Sequence, residues 1–209
     1  MPDVSALMKL NNGLVRKWGP KLVAVQDYSE PVPTTFFDEN GLPILPPSAK
    51  QLGLITTDGI VAASSVSTEA TNMDQQVEAV RSDVTGIEKS MTGAFGESSN
   101  AWLHALRAGK QVADWPADPK APWSVDDGDF VDFPYYRLFL IASDGVGDQA
   151  FYRVEYGYRV KVSTTADRTL ARNANENLGF TFGFFRDPVA NKSLYTAENG
   201  PGFGVTPTP

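Results

Sequence analysis

The feature that most constrains the fold is the stretch from Tyr135 to Val162, YYRLFLIASDGVGDQAFYRVEYGYRVKV. It joins two runs rich in β-branched and aromatic residues through a turn containing Gly145 and Gly147, the pattern of a β-hairpin. In the second run, apolar or aromatic residues occupy every second position from Tyr152 onwards, which predicts a strand with one buried face. The first run has apolar side chains on both faces, so both of its faces need cover.

Further strands are predicted on either side of this hairpin. After Gly53, short runs of Val, Ile, Thr and Ser alternate with turn residues, and Ile87, Met91 and Phe95 fall on one face of a strand. A last strand, NLGFTFGFFRD, places three phenylalanines on one face. We therefore predict an all-β fold, a β-sandwich or partly closed barrel, as a single domain over residues 1–209.

One short amphipathic helix is predicted at about residues 99–108, flanking the sheet. Ser98 or Ser99 can cap its N-terminus, and Gly109 supplies its C-terminal stop. The lone histidine, His104, lies in mid-helix, where a hydrogen-bonded or solvent-facing imidazole is far commoner than a metal ligand without partners.

Three segments are predicted to be irregular. Residues 28–50 carry five prolines, which remove backbone N–H donors at short intervals, so this segment is predicted to form an extended arm. Residues 114–134 mix prolines with six aspartates and are predicted to form an acidic loop. Residues 203–209, at the glycine- and proline-rich end of the chain, are predicted to form a flexible tail.

The chain is acidic, with a formal net charge of −7 and a sequence pI of about 4.7. This balance argues against a protein that binds nucleic acid by neutralising phosphates. The absence of cysteine excludes disulfides, thiolate zinc sites and cysteine nucleophiles. No run of about 18 apolar residues and no signal-peptide core occurs, so we expect no membrane span and a protein that stays in the cytoplasm where it is made.

No motif of the chain supports catalysis, a metal site or a cofactor. The aspartates at 126, 127, 129 and 132 do not match the spacing of a calcium-binding loop, because a glycine and a glutamate are missing from the required positions. The glycine-rich stretches do not open a helix after a strand, as a phosphate-binding loop must. We therefore predict no enzyme, no metal and no cofactor.

The charge is unevenly distributed along the chain. The segments 53–100 and 114–134 each carry a net charge of −5, and the remainder carries +3. Two interpretations fit this distribution: ordinary solvated faces, or a ring or tube in which copies of the chain meet head to tail, acid patch against basic edge. In the second interpretation the charge partners between subunits are Arg153, Arg159, Lys161 and Arg168.

Four stretches in a fixed order carry a family resemblance. They are LGLITTDGI after the proline-rich segment, VEAVRSDVT, PYYRLFLIASDGVGDQAFY after the helix, and a final glycine-proline-glycine. From about Leu52 to Gly202 the chain resembles the major tail proteins of long-tailed, non-contractile bacteriophages, particularly those of actinobacterial hosts. The acidic loop 114–134 departs from the family pattern.

The resemblance implies a virion protein made in the host cytoplasm, whose copies form stacked, hexameric rings. The resulting tail tube would enclose a tape-measure protein, adjoin terminator and baseplate proteins, and conduct DNA without binding it specifically. Carboxylates facing the lumen would repel phosphates over about 8–10 Å at physiological salt. Our candidates for this lining are Asp58, Glu69, Glu78, Asp83 and Glu88.

The arm 28–50 is the candidate for ring-to-ring stacking, because it could expose Phe36, Phe37 and Ile44 for burial in the next ring. The alternative is an arm folded back on its own subunit.

Other functions remain open at this point. A related ring protein, such as a secretion-system tube, a tail terminator or a baseplate hub, would share the subunit fold, although terminators and hubs stop at one ring. A carbohydrate-binding β-sandwich could use Trp102, Trp115, Trp123 and Tyr195 as stacking platforms.

Overall fold

The computed structural model describes residues 12–74, 76–125, 132–201 and 203. Most of the predicted aspartate cluster and nearly all of the tail 203–209 lie outside these residues. Short 3₁₀ turns lie at Asn12–Leu14, Val112–Asp114 and Gly147–Gln149. The strands and the helix are, in chain order, β1 (Lys21–Asp27), β2 (Lys50–Gln51), β3 (Ile55–Met73), β4 (Gln76–Phe95), α1 (Ala101–Arg107), β5 (Tyr136–Asp144), β6 (Phe151–Thr165), β7 (Leu178–Phe185) and β8 (Leu194–Asn199).

The strands form one antiparallel sheet in the order β2-β1-β5-β6-β7-β4-β3, and β8 also pairs with β6. The long strand β6 has two neighbours on one side, because β8 pairs with its first half and β7 with its second half. The all-β prediction with one short flanking helix is confirmed, and the sheet is not closed into a barrel. No helix among the described residues is long and apolar enough to cross a membrane.

Strand β6 changes the face that it buries halfway along its length. Tyr136 pairs with Val160, whereas Leu138 pairs with Gly157, so β6 carries one more residue than β5 over this interval. Such a bulge reverses the alternation beyond it. Apolar positions before the bulge, including Tyr156, therefore face one core, and those after it, including Val160, face the other. The expectation that every alternating position of this strand shares one face was wrong.

The first core lies on the side of the sheet that α1 covers. Leu103 and Leu106 of the helix are fully buried against the strands. The predicted apolar face of the last strand is confirmed here, since Phe180 and Phe182 belong to this core and Phe184 packs against it.

The helix is capped by a residue other than the predicted serines. The side chain of Asn100 accepts a hydrogen bond from the backbone N–H of Trp102 at 3.0 Å, which satisfies one free donor of the first turn. Gly109, with φ of 66°, ends the helix as expected. His104 is buried, with Nε2 2.6 Å from the carbonyl oxygen of Ser98, and its ring stacks on an indole.

The second core lies on the opposite side of the sheet, under the proline-rich arm. Phe36 of the arm stacks on Tyr195 at 4.8 Å and contacts Tyr156 at 5.0 Å between ring centroids. Phe36 and Phe37 are thus buried in their own chain, and the expectation that they lie exposed was wrong. The arm folds back because these aromatic rings find partners on β6 and β8, while Ile44 remains partly exposed.

A buried ion pair holds the base of this arm to the sheet. Arg137 donates Nε to the carbonyl oxygen of Glu30 at 2.9 Å and Nη1 to that of Tyr158 at 3.0 Å, and lies 3.8 Å from Asp187. Burial alone would raise the pKa of Asp187. The backbone N–H groups of residues 190 and 189, the Tyr28 hydroxyl and Arg137 outweigh burial, so the pKa is lowered.

Candidate functional site

The most unusual element is the hairpin of β3 and β4, whose strands are 19 and 20 residues long. Strand β7 pairs with β4 only from Lys89 to Phe95, so the hairpin continues beyond the sheet without another partner among the described strands. Almost all side chains between residues 61 and 88 that the structure describes are exposed. An element of this length with no cover of its own requires an explanation in terms of a partner.

One face of the hairpin carries apolar side chains, interrupted by the pair Ser64–Lys89. Cross-strand partners lie on the same face, and the pairs Ala62–Met91 and Val66–Ile87 continue the face that α1 covers further down. Met91 is 2% exposed in the core, whereas Ile87, four residues away on the same face, is 62% exposed. We call this surface the apolar face; its exposed members are Val66, Val80, Val84 and Ile87, which are 48–62% exposed.

The opposite, polar face carries three of the five predicted lumen residues. Glu69 lies directly across from Asp83, and Glu88 lies across from Ser65 on the same face. Like charges opposite one another are unfavourable, and an ion pair of 2.7 Å between Arg81 and Asp83 offsets part of this repulsion.

The other two predicted lumen residues are placed differently. Asp58 lies in an irregular segment of β3 between Ile55 and Ile60, next to Gly59 with φ of 74°. Glu78 lies near the tip, within the stretch where the register between the two strands is irregular, so its face is not fixed by a cross-strand pair. A lumen-lining role for all five residues stays a prediction.

The backbone edges of the hairpin are also free. The outer edge of β3 has no strand partner among the described residues, and β4 has only β3 beyond Lys89. Strand β3 contains no proline, lysine or arginine, the residues with which natural proteins protect an edge. Its unpaired N–H and C=O groups can therefore accept a further strand.

The four predicted charge partners between subunits all have partners within their own chain. Arg153 pairs with Glu198 at 2.9 Å, Arg168 with Glu176 at 3.4 Å and Lys161 with Asp132. Arg159 lies 3.8 Å from the centre of the Tyr135 ring, a cation–π distance. Their proposed role between subunits stays a prediction, and these local contacts would have to rearrange or be shared.

The aromatic residues considered for carbohydrate stacking are engaged inside the chain. The indole N–H of Trp102 donates to the carbonyl oxygen of Pro116 at 2.8 Å, and that of Trp115 donates to Lys110 at 3.0 Å. Trp123 stacks on the His104 ring and Tyr195 stacks on an arm phenylalanine. They do not form the exposed row of rings that a sugar-binding strand face presents. Among the described residues, no group of three His, Asp or Glu side chains could hold a metal ion.

A pocket of about 200 Å³, which we call the base pocket, lies where the hairpin leaves the sheet. It opens between the hairpin strands and β8, and β7 ends at its floor. Glu155 on its wall is half-buried, and no hydrogen-bond donor contacts its carboxylate among the described residues. Burial raises the pKa of Glu155, and nearby Arg153 offsets part of this rise. The described lining is Ala62, Ala63, Ser64, Lys89, Ser90, Met91, Glu155, Phe184, Leu194 and Thr196.

Sequence reasoning missed two parts of this site. The sequence placed Ile87 and Met91 on one strand face, but it could not place Val84 there, because only the register shift between Gly86 and Val84 brings that side chain to the same face. The base pocket could not be found from the sequence, because it joins Glu155 to residues more than 60 positions away along the chain.

Comparison with solved structures gives a structural likeness. No protein-family model matches the chain, and no curated protein matches it. A chain in the structure titled "Cryo-EM structure of the anti-feeding prophage (AFP) baseplate, 6-fold symmetrised" matches with a TM-score of 0.37 and 8% sequence identity. The match covers 88% of this chain and 94% of that chain.

Proposed function

We propose that this protein is the subunit of a phage tail tube, in which hexameric rings stack into a conduit for DNA. The observation that carries the proposal is the projecting hairpin, whose apolar face is uncovered and whose outer edges are unpaired. A monomer gains nothing from such an element, because exposed apolar surface and free strand edges favour association.

A second copy of the chain is the partner that fits the hairpin best. Each copy offers the free outer edge of β3 and the free edge of β4 beyond Lys89. Hairpins can therefore pair side by side, with the β3 edge of one copy against the β4 edge of the next, so the two surfaces in contact differ. An interface between two different surfaces repeats until it closes into a ring. In such a ring the apolar faces would turn together toward one side and the polar faces toward the other.

The lumen is assigned to the polar face. Glu69, Asp83 and Glu88 share it, and the cations that share it are engaged, Arg81 by Asp83 and Lys161 by Asp132. Glu69 and Glu88 have no ion-pair partner among the described residues, and a wall with such carboxylates and engaged cations repels phosphates, which suits a tube that passes DNA without holding it.

Electron microscopy of negatively stained protein at rising concentration tests the assembly. We expect the wild type to form rings and open tubes, and Val84→Glu to remain monomeric with an unchanged circular dichroism spectrum, since Val84 is exposed in the single chain. Ser67→Glu adds the same charge to the polar face and is the matched control that should still assemble. A wild type that stays monomeric, or Val84→Glu tubes of normal length, would overturn the proposal.

The lumen assignment has its own test. Tubes carrying Glu69→Gln, Asp83→Asn and Glu88→Gln should retain double-stranded DNA at low salt, with binding that weakens steeply as salt rises. Control tubes neutralised at three carboxylates that are exposed elsewhere, Glu39, Asp114 and Asp167, should not retain DNA. Equal DNA retention by the two sets would refute the assignment.

The nearest alternative is a single-ring tail component, such as a terminator or a baseplate hub. The free edges of the hairpin serve a single ring equally well. Rings that never stack at any concentration would favour this alternative over the tube.

A further inference from the structure

Along the direction of its strands, the sheet has a projecting loop at one end and a pocket further toward the other end. At one end the loop 166–177 connects β6 to β7 and projects into solvent. Toward the other end β7 stops at Phe185, while β8 and the hairpin continue, and the base pocket opens between them. A copy displaced along the strand direction would bring its loop 166–177 toward the base pocket of the next copy.

The loop is held in shape by its own contacts. Arg107 donates Nη1 to the carbonyl oxygen of Ala166 at 2.9 Å, and the pair Arg168–Glu176 closes the base of the loop. A bridge between Ala171 and Ala174 forms its turn. A loop fixed in this way loses less conformational entropy on docking than a flexible one.

The same loop presents one apolar side chain and one free cation. Leu170 is 78% exposed. Arg172 is exposed, and no hydrogen bond or ion pair engages it within the described residues. The loop therefore offers a leucine and an arginine two residues apart, and neither has a partner among the described residues.

The base pocket offers the complementary pair. Its walls include the apolar side chains of Met91, Phe184 and Leu194, and its volume of about 200 Å³ is far larger than the ~30 Å³ of one water. Glu155 supplies a half-buried carboxylate that lacks a donor. A half-buried carboxylate is stabilised by a cation in direct contact; Arg153 nearby is paired with Glu198, and Lys89 lines the same pocket without an ion pair among the described residues, so an incoming arginine would share this wall with Lys89.

We propose that Leu170 of one copy enters the base pocket of the next copy and that Arg172 pairs there with Glu155. This inference rests on the proposed function, and it assigns the contact between successive rings. The contact joins two different surfaces and does not close on itself, so it extends without limit along the tube. This contact takes the ring-to-ring role that the sequence suggested for Phe36 and Phe37, which are buried in their own subunit.

Charge exchange tests the pairing. Arg172→Glu and Glu155→Arg each place like charges in contact, and each should raise the protein concentration needed for stacking by roughly tenfold or more. Single rings should persist, because the hairpin is unchanged. Mixing the two variants should restore tubes in which they alternate. The loop with Arg172→Glu then meets the pocket with Glu155→Arg, and the unchanged loop of the second variant meets the unchanged pocket of the first. Arg186→Glu, at an exposed arginine elsewhere, is the matched control and should stack normally.

Disulfide trapping tests the position of the leucine. The chain has no cysteine, so the variant Leu170→Cys/Leu194→Cys carries only the two introduced thiols. The segment of β6 from Gly157 to Thr165 alone separates the two sites by about 25 Å, which prevents a bond within one chain. Oxidation should give a ladder of covalent multimers, whereas each single-cysteine variant should give at most dimers.

The outcomes separate this inference from the proposed function. Wild-type tubes together with normal stacking of Arg172→Glu, or no ladder from the double-cysteine variant, would overturn the Leu170–Arg172 contact and leave the tube intact. A wild type that forms neither rings nor tubes would overturn both.

Discussion

The sheet around β5 and β6 and the hairpin of β3 and β4 are built from the same kind of strand, yet they are stabilised differently. In the first region α1 covers one face and the arm covers the other, and the apolar side chains form two cores within the chain. In the second region almost all of the described side chains between residues 61 and 88 are exposed, so neither face is covered there. The change occurs within β4 itself, between buried Met91 and exposed Ile87.

This difference teaches that alternation by itself does not tell a buried face from an interface. Both regions place apolar side chains on one face of a strand, and only the covering elements distinguish them. Substitutions in the covered region should therefore change the stability of the single chain. Equivalent substitutions in the hairpin should change assembly and leave that stability nearly constant.

A large contrast is expected between the two ion pairs. Asp187→Asn leaves Arg137 buried without a carboxylate and should lower the free energy of unfolding by about 3 kcal/mol at neutral pH. Asp83→Asn breaks an exposed pair and should change it by about 1 kcal/mol or less. Urea denaturation of unassembled protein measures both.

The same pair gives a pH dependence. The pKa of Asp187 is lowered in the folded state, so its contribution is present above the unfolded pKa and is lost as pH falls through the folded pKa. The difference between wild type and Asp187→Asn should therefore shrink in acid. A difference that grows as pH falls would contradict the assignment of this pair.

The next contrast compares two apolar residues of one face and one strand. Met91→Ala should cost about 2–5 kcal/mol of folding free energy, because it leaves a cavity in the first core. Ile87→Ala, four residues away, should cost less than about 0.5 kcal/mol in the unassembled chain. If the two variants lose the same free energy of unfolding, some part of the chain covers Ile87 and the comparison fails.

Two glycines test the same comparison through the effect of an added methyl group on stability. A methyl group at Gly157 would lie 2.7 Å from the Phe184 ring beside the bulge of β6, so Gly157→Ala should destabilise by about 1–3 kcal/mol. At Gly86 of the hairpin the nearest atom would be 3.9 Å away, and Gly86→Ala should be neutral within about 0.5 kcal/mol. Thermal unfolding of the two variants checks the contrast.

The smallest effect concerns the helix that covers the first core. Asn100→Ala should destabilise by about 1 kcal/mol through loss of the N-terminal cap. Ser99→Ala, at one of the serines favoured by the sequence pattern, is the control and should be nearly silent. A larger loss of stability for Ser99→Ala than for Asn100→Ala would identify Ser99 as the cap instead.

Much of the fold was predictable because strand and helix patterns are local. The hairpin around Gly145, the phenylalanine face of β7 and the helix near residues 99–108 were all legible from residue spacing. The cap was misassigned by one or two residues because Ser98, Ser99 and Asn100 can all accept the same hydrogen bond. For the site, strand-forming character at Ile87 was predictable, whereas its exposure was not.

By itself, the sequence determined the periodic elements, the acidic balance and the absence of cysteine chemistry, since these depend on residue identity and on neighbours a few positions away. Only the tertiary structure decided that β6 serves two cores, that Phe36 turns inward and that Glu155 meets the hairpin base. Each of these depends on strand register and on contacts between distant segments. Such contacts are selected by the total burial of the folded chain, which no short stretch of sequence specifies.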